Sequence, residues 1–248
     1  MEQSKEMSCL RIGRYDGGRW MEKEDVVVRE KEFTIIVNHS EKYTVVCSPT
    51  NLEAMAAGFL LSEGIIKKGS VLEHIRTEED RGTVYLDIAE AERGTADRAA
   101  PAQTPEDKNP SPGPTIDPGT VLKLAARLEQ QSVVFRRTGG AHCAALTDQK
   151  DLWVTMEDVG RHNTLDKISG YCFLKGIPTK DKVIVFSGRV ACEIVAKTVK
   201  MGCPILIARS APTDRALALA RESGLTVISF ARGNSFNVYT GKERLEGS

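Results

Sequence analysis

Five short segments of this sequence combine arginine with glycine or serine in a way that suits a phosphate. They are Arg136-Arg137-Thr138-Gly139-Gly140, Glu157-Asp158-Val159-Gly160-Arg161-His162-Asn163, Ser187-Gly188-Arg189, Arg209-Ser210-Ala211-Pro212-Thr213 and Arg232-Gly233-Asn234-Ser235. Glycine lets backbone N–H groups come close to a ligand, and a helix start leaves such groups unpaired. An arginine fork matches a phosphate with two parallel hydrogen bonds. Gly140, His142, Arg161, Ser187 and Arg189 are the groups in or beside these segments that such a ligand would touch. Each segment also has a plainer reading. Gly139-Gly140 makes a turn, Ser210 or Thr213 caps a helix, and His162 sits at the surface of a helix start. His142 suits core hydrogen bonding and ligand contact equally, and Cys143 is either a small buried hydrophobe or a nucleophile. One such segment means little. Five on one edge of a sheet predict a polyanionic ligand, a nucleotide or a pyrophosphate.

Other chemistries fit less well. A zinc deaminase needs HxE and PCxxC, but Ala144 stands two residues after His142, and Cys203-Pro204 runs in the wrong order. There is no GxxxxGK[ST] loop, Gly233 lacks the partners of a dinucleotide fingerprint, and no serine sits in a nucleophile elbow.

The elements that would carry these segments follow from periodicity. Phe33–Val37 and Tyr43–Cys47 read as a β-hairpin, and Thr50-Asn51-Leu52-Glu53 reads as a capping box. It opens a helix that runs to Gly64, and Thr83–Ile88 is a weaker strand. Residues 1–24 look like a frayed polar arm. Ala91–Gly119 has no cysteine, no aromatic side chain and six prolines, which predicts a mobile linker. Beyond it, Val121, Leu124, Ala125 and Leu128 mark an amphipathic helix. Strand signals follow at Ser132–Phe135, Leu152–Thr155, Lys182–Phe186, Pro204–Ala208 and Leu225–Phe230. Helical segments at Asn163–Lys175, Val190–Met201 and Asp214–Ser223 alternate with them. This alternation predicts an α/β protein, a three-layer α/β/α sandwich on a largely parallel sheet, with ligands outside the carboxyl ends of the strands. The units are a small β-hairpin and helix subdomain (25–88), the linker (89–119) and the α/β core (120–245).

The bulk composition excludes other classes. Lys plus Arg and Asp plus Glu each total 34 in 248 residues, so no net field favours nucleic acid or a membrane surface. No apolar run is long enough for a bilayer span, and the amino-terminal segment does not read as a secretion signal. Six cysteines are scattered singly, as suits free thiols in the cytoplasm.

Several blocks in order resemble the FdhD family of formate dehydrogenase accessory sulfurtransferases. They are Gly58-Phe59-Leu60-Leu61-Ser62-Glu63-Gly64-Ile65-Ile66, Thr138-Gly139-Gly140-Ala141-His142, Glu157–Asn163, Ser187-Gly188-Arg189, Ser210–Thr213 and Phe236-Asn237-Val238-Tyr239-Thr240. The resemblance implies a cytidine-deaminase-like fold without the zinc site, and a homodimer. It also implies a role in maturing molybdenum- or tungsten-dependent formate dehydrogenase. Such proteins take sulfur from a cysteine desulfurase as a persulfide and pass it to the molybdenum bis(guanine dinucleotide) cofactor. The cofactor-contact segment falls on Phe230-Ala231-Arg232-Gly233-Asn234-Ser235.

The sequence departs from that pattern at one point. The family's sulfur-carrying CxxC corresponds to Ala89–Gly119, where this chain has no cysteine. A thiolate is the nucleophile that accepting a sulfur requires, and Cys143 is the one cysteine inside a family motif that could replace it. Sulfur transfer through Cys143, a cofactor-binding chaperone without sulfur relay, and a regulatory paralogue binding free guanine nucleotide are the functional readings.

Overall fold

The polar arm predicted over residues 1–24 is a β-hairpin instead. Strands β1 (Met7–Asp16) and β2 (Arg19–Val28) pair antiparallel around Gly17-Gly18, both with positive φ. Only the base of the ribbon is covered: Met7, Val26 and Val28 pack on Val134 and Ala141. Most of its length is exposed, so charged residues are interspersed along both strands and hide the strand pattern from a hydrophobicity reading. The computed structural model describes residues 4–67, 70–89 and 114–247.

Strands β3 (Lys31–Val37), β4 (Glu41–Cys47), β5 (Val71–Glu78) and β6 (Thr83–Ala89) form a four-stranded sheet in the order β4-β3-β6-β5. Phe33, Ile35 and Val37 alternate inward, as a period of two demands, and meet Leu52, Met55 and Leu60 of helix α1 (Leu52–Glu63). The expected capping box is absent. Asn51 caps the helix in a left-handed conformation with no side-chain bond, because the Thr50 hydroxyl donates to Glu6 at 2.8 Å. Gly64 ends the helix as predicted.

The predicted linker lies mostly outside the described residues, but its last part is structured. Ile116 is fully buried and bridges Leu245, and Pro118 begins helix α2 (Pro118–Gln131), capped by Asp117. The strand predicted at Ser132–Phe135 is helix α3 (Val133–Thr138). Its β-branched pair suggests a strand, but the Glu157 carboxylate accepts from the N–H groups of Val134 and Phe135, both at 2.9 Å. Those are helix-start donors, and their partner is distant in sequence.

The second sheet contains β7 (His142–Thr147), β8 (Leu152–Asp158), β9 (Val183–Phe186), β10 (Ile205–Ala208), β11 (Thr226–Arg232) and β12 (Ser235–Thr240), ordered β12-β11-β10-β9-β7-β8. It is mixed rather than largely parallel. β9, β10 and β11 pair parallel, β7 and β12 run the opposite way, and β8, which pairs only with β7, runs in the direction of β9. Helices cover both faces: α2 lies on one, and α4 (Arg161–Lys175), α5 (Cys192–Lys200) and α6 (Asp214–Glu222) lie on the other.

The two sheets are joined where α1 crosses α4 with no side chain between them. A Cβ on Gly58 would stand 1.8 Å from the Asp166 carbonyl oxygen, and one on Gly170 would stand 1.9 Å from that of Ala54. Both obstacles are backbone, so neither can swing aside. Gly58→Ala and Gly170→Ala are each expected to cost about 3 kcal/mol or more, at the severe end for overpacking, read as a fall in the urea unfolding midpoint.

Candidate functional site

Antiparallel β7 and β12 alter which ends of the strands meet. His142 starts β7, Asp158 ends β8 and the two are paired, while Ala144 pairs with Phe186 at the end of β9. The amino end of β7 therefore shares an edge with the carboxyl ends of β8, β9, β10 and β11. That edge gathers Gly139–His142, Asp158–Asn163, Ser187–Arg189, Arg209–Thr213 and Arg232–Ser235.

Asp158 fixes the second of these loops. Its carboxylate is fully buried, 2.6 Å from the equally buried Lys167 ammonium. It also accepts from the N–H of Gly160 and Nδ2 of Asn163, both at 2.8 Å, and from the N–H of Ser48 at 3.0 Å. Lys167 donates to the Ser48 carbonyl at 3.1 Å. Arg161 and His162 are thus held at the first turn of α4. The other loops are stitched to each other. Ser187 accepts through Oγ from the Cys143 N–H at 2.8 Å and donates its own N–H to the Cys143 carbonyl at 2.9 Å. Val190 donates to Ala211 at 3.0 Å, and Thr213 donates back to Val190 at 2.9 Å.

Three helices begin at this edge. Thr213 caps α6, accepting from the Ala216 N–H at 3.3 Å. The cap residues of α4 at Gly160 and of α5 at Ala191 make no side-chain bond, although Asp158 takes the Gly160 N–H and the Glu193 carboxylate takes its own N–H. Gly188 keeps the edge open: a Cβ there would stand 2.7 Å from the Phe186 ring and 3.3 Å from Nδ1 of His142. Nε of Arg161 and Nε2 of His162 are buried with no hydrogen-bond partner. Burial lowers the pKa of His142, and Arg161, His162 and Arg189 lower it further against the pull of Asp158. Burial and then Arg161 lower that of His162, against Glu193. Both shifts favour the neutral ring, and the fixed charge comes from the guanidinium groups.

The predicted site residues separate into two sets, with Ala231 apart. His142, Arg161, Ser187, Arg189 and the backbone at Gly140 lie around β7, β8 and β9. Phe230, Arg232, Gly233, Asn234 and Ser235 form the β11–β12 end, where Phe230 has a φ of 55° and the Arg232 guanidinium lies 5.8 Å from its ring centre. Ala231 is fully buried on the α2 face, so only its backbone reaches the edge. The two sets are about 14 Å apart, three strand spacings, so one phosphate cannot touch both and an extended ligand can. Arg136 and Arg137 belong to α3, where Arg136 donates to the Gln130 carbonyl, and Arg209 pairs with Glu129 at 3.0 Å. His162, which the sequence places at the surface of a helix start, is half-buried in the first turn of α4 and faces Glu193 of α5 at 3.5 Å.

Residues 28–246 match the FdhD/NarQ family. The chain belongs to it. A Sulfur carrier protein FdhD of Bacillus licheniformis is 37% identical over 254 residues, covering 96% of this chain and 97% of that one. The Sulfur carrier protein FdhD of Geobacillus kaustophilus is 38% identical over 250 residues, covering 94% and 95%. A crystal structure of a Desulfotalea psychrophila protein, assigned as a formate dehydrogenase accessory protein, superposes with a TM-score of 0.82. It is 25% identical and covers 97% of this chain and 99% of its own. No described helix is long and apolar enough to cross a membrane.

Against that family background, the state of the thiols matters. A sulfur relay through Cys143 would need its thiolate favoured by His142 or nearby arginines, and the structure opposes this. Its side chain points to the α2 face, fully buried, and burial aided by Glu157 pushes its pKa up to about 12 although Ser132 opposes. Burial likewise raises Cys47 and Cys172 to about 12, and Cys203 as well. Only Cys9, exposed, and Cys192, half-buried, reach solvent. A thiol of pKa 12 is about one part in ten thousand thiolate near pH 8. Iodoacetamide on the folded protein should therefore label Cys9 and, more slowly, Cys192, and leave Cys143 unlabelled until denaturant is added. Peptide mass mapping checks this.

Proposed function

We propose that this protein assists the maturation of a molybdenum- or tungsten-dependent formate dehydrogenase in the cytoplasm by holding the molybdenum bis(guanine dinucleotide) cofactor along the loop edge. The observation that carries this reading is the meeting of two helix starts without side-chain caps with Arg161, Arg189, His142 and His162 at one sheet edge. The cofactor has phosphates joined to guanines, and both sets of edge residues would be needed to hold its length. Arg161, Arg189 and the N–H groups of α4 and α5 would take phosphate oxygens. The segment from Phe230 to Ser235 would hold a second part of the molecule. The cofactor supplies the metal and its sulfur ligands; the protein supplies charge, donors and orientation. A homodimer, with formate dehydrogenase and a cysteine desulfurase as partners, belongs to the same reading.

Burial of Cys143 favours a carrier of the cofactor over a relay of sulfur through that residue. The relatives' names favour sulfur carriage, and a relay in this chain would have to use Cys192 or Cys9. Two measurements decide. Calorimetry should show guanosine diphosphate binding more tightly than adenosine diphosphate, with affinity falling as salt rises; equal affinities would remove the guanine-cofactor reading. In a strain lacking its own family member, Cys143→Ala should still support formate dehydrogenase activity, and mass spectrometry after desulfurase treatment should find no persulfide on Cys143. Loss of maturation together with a persulfide there would overturn the carrier reading.

A further inference from the structure

The β1–β2 ribbon stands largely uncovered, yet it carries large apolar side chains. Its ten pairs run from Met7↔Val28 to Asp16↔Arg19 with no bulge and no proline. Both outer edges are open, because β1 and β2 pair only with each other. A two-stranded ribbon is marginal by itself in water, and natural proteins blunt or cover such edges. Alternation puts Met7, Val26 and Val28 on one face together with Tyr15 and Trp20. That face is covered at its base by Val134 and Ala141 and bare at its tip. There the rings of Tyr15 and Trp20 meet with centres 5.3 Å apart, and the two residues are 61% and 75% exposed. At the opposite end, where Glu6 leads into β1, an open cavity of about 410 Å³ is lined by Glu6, Asn51, Gln131, Val133, Thr155 and Glu157. Val133 is 54% exposed, and Phe135 on the same short helix is 41% exposed.

We propose that a second copy of this chain seats the tip of its ribbon in that cavity, reciprocally about a two-fold axis. Ten residues at about 3.4 Å each put the tip about 30 Å from the base, so the ribbon does not reach the cavity at its own base. Two ribbons lying antiparallel bring each tip to the other's base, which is the self-complementary contact a two-fold axis requires. Charge agrees with this in two ways. From Met7 to Val28 the ribbon has four basic residues (Arg11, Arg14, Arg19, Lys23) and four acidic ones (Asp16, Glu22, Glu24, Asp25), so two ribbons side by side carry no net repulsion. The cavity lining includes two carboxylates, Glu6 and Glu157, and its other residues are uncharged. At the tip, Arg14 pairs with Asp16 at 3.2 Å, which leaves Arg19 as the net charge beside Trp20. Arg19 and the indole N–H are donors for those carboxylates, and Val133 gives the indole ring an apolar wall. The contact provides a surface for the homodimer of the reading above and does not depend on the cofactor.

Sedimentation equilibrium of the full chain tests this. The chain should form a dimer, and Trp20→Ser and Val133→Ser should each raise its dissociation constant about a hundredfold or more, because each removes two copies of the contact. Both residues are more than half exposed, so circular dichroism and the urea midpoint should not change. Mixing the two variants is the decisive measurement. The mixed pair keeps one intact contact, Trp20 of one copy against Val133 of the other, and should associate more tightly than either variant alone. The chain has two tryptophans, so Trp153→Phe leaves Trp20 as the sole emitter. Its fluorescence should shift to the blue as concentration rises through the dimer range. A dimer indifferent to Trp20→Ser, or variants that gain nothing on mixing, would overturn the ribbon contact and leave a homodimer through another surface. A chain that stays monomeric at the highest concentration tested would remove the homodimer as well, while guanosine diphosphate calorimetry still decides the cofactor reading separately. A monomer whose Trp20→Ser form fails in formate dehydrogenase maturation would overturn the proposal by assigning the tip to a different protein.

Discussion

Lys167 carries its ammonium group into the interior, where it meets Asp158 at 2.6 Å and both side chains are fully buried. A charge there is stable only with its partner and a full set of hydrogen bonds. The structure supplies these from three parts of the chain. Ser48 at the end of β4 gives an N–H and a carbonyl, the turn after β8 gives the Gly160 N–H, and α4 gives Asn163. One ion pair therefore fixes the four-stranded sheet, the six-stranded sheet and the start of α4 relative to each other. It stands a few residues from Arg161 and His162, so the geometry of the loop edge depends on it. The Gly58–Gly170 crossing complements the pair: helices at backbone contact leave α4 little freedom to slide.

The edge inherits its character from that arrangement. Gly188 leaves space beside His142, and α5 begins next to α4 without a side-chain cap. Positive charge and room thus occur together. Not every arginine contributes: Arg209 is engaged by Glu129 on α2. Thiol chemistry follows burial in the same way. Alternation along β7 turns His142 toward the α4 side and Cys143 into the core beneath α2, and neighbours in sequence therefore have opposite chemical fates.

The sequence alone determined a good deal. Leu52, Met55 and Leu60 at helical spacing before Gly64, and the apolar runs Val183–Phe186 and Ile205–Ala208, specify their elements because burial of one face is a local, periodic demand. The Arg, Gly and Ser segments and the motif order were legible because the residue types carry the chemistry, and the family they suggest is the one the chain belongs to. Tertiary structure decided the rest. Whether Val133–Thr138 is helix or strand turned on a carboxylate from β8, and whether the first residues are an arm or a hairpin turned on packing against Val134 and Ala141. The direction of β7, the burial of Cys143 and the burial of Nε of Arg161 and Nε2 of His162 are relations between distant segments. Local propensity contains no term for such partners, and so they emerge only when the chain is packed.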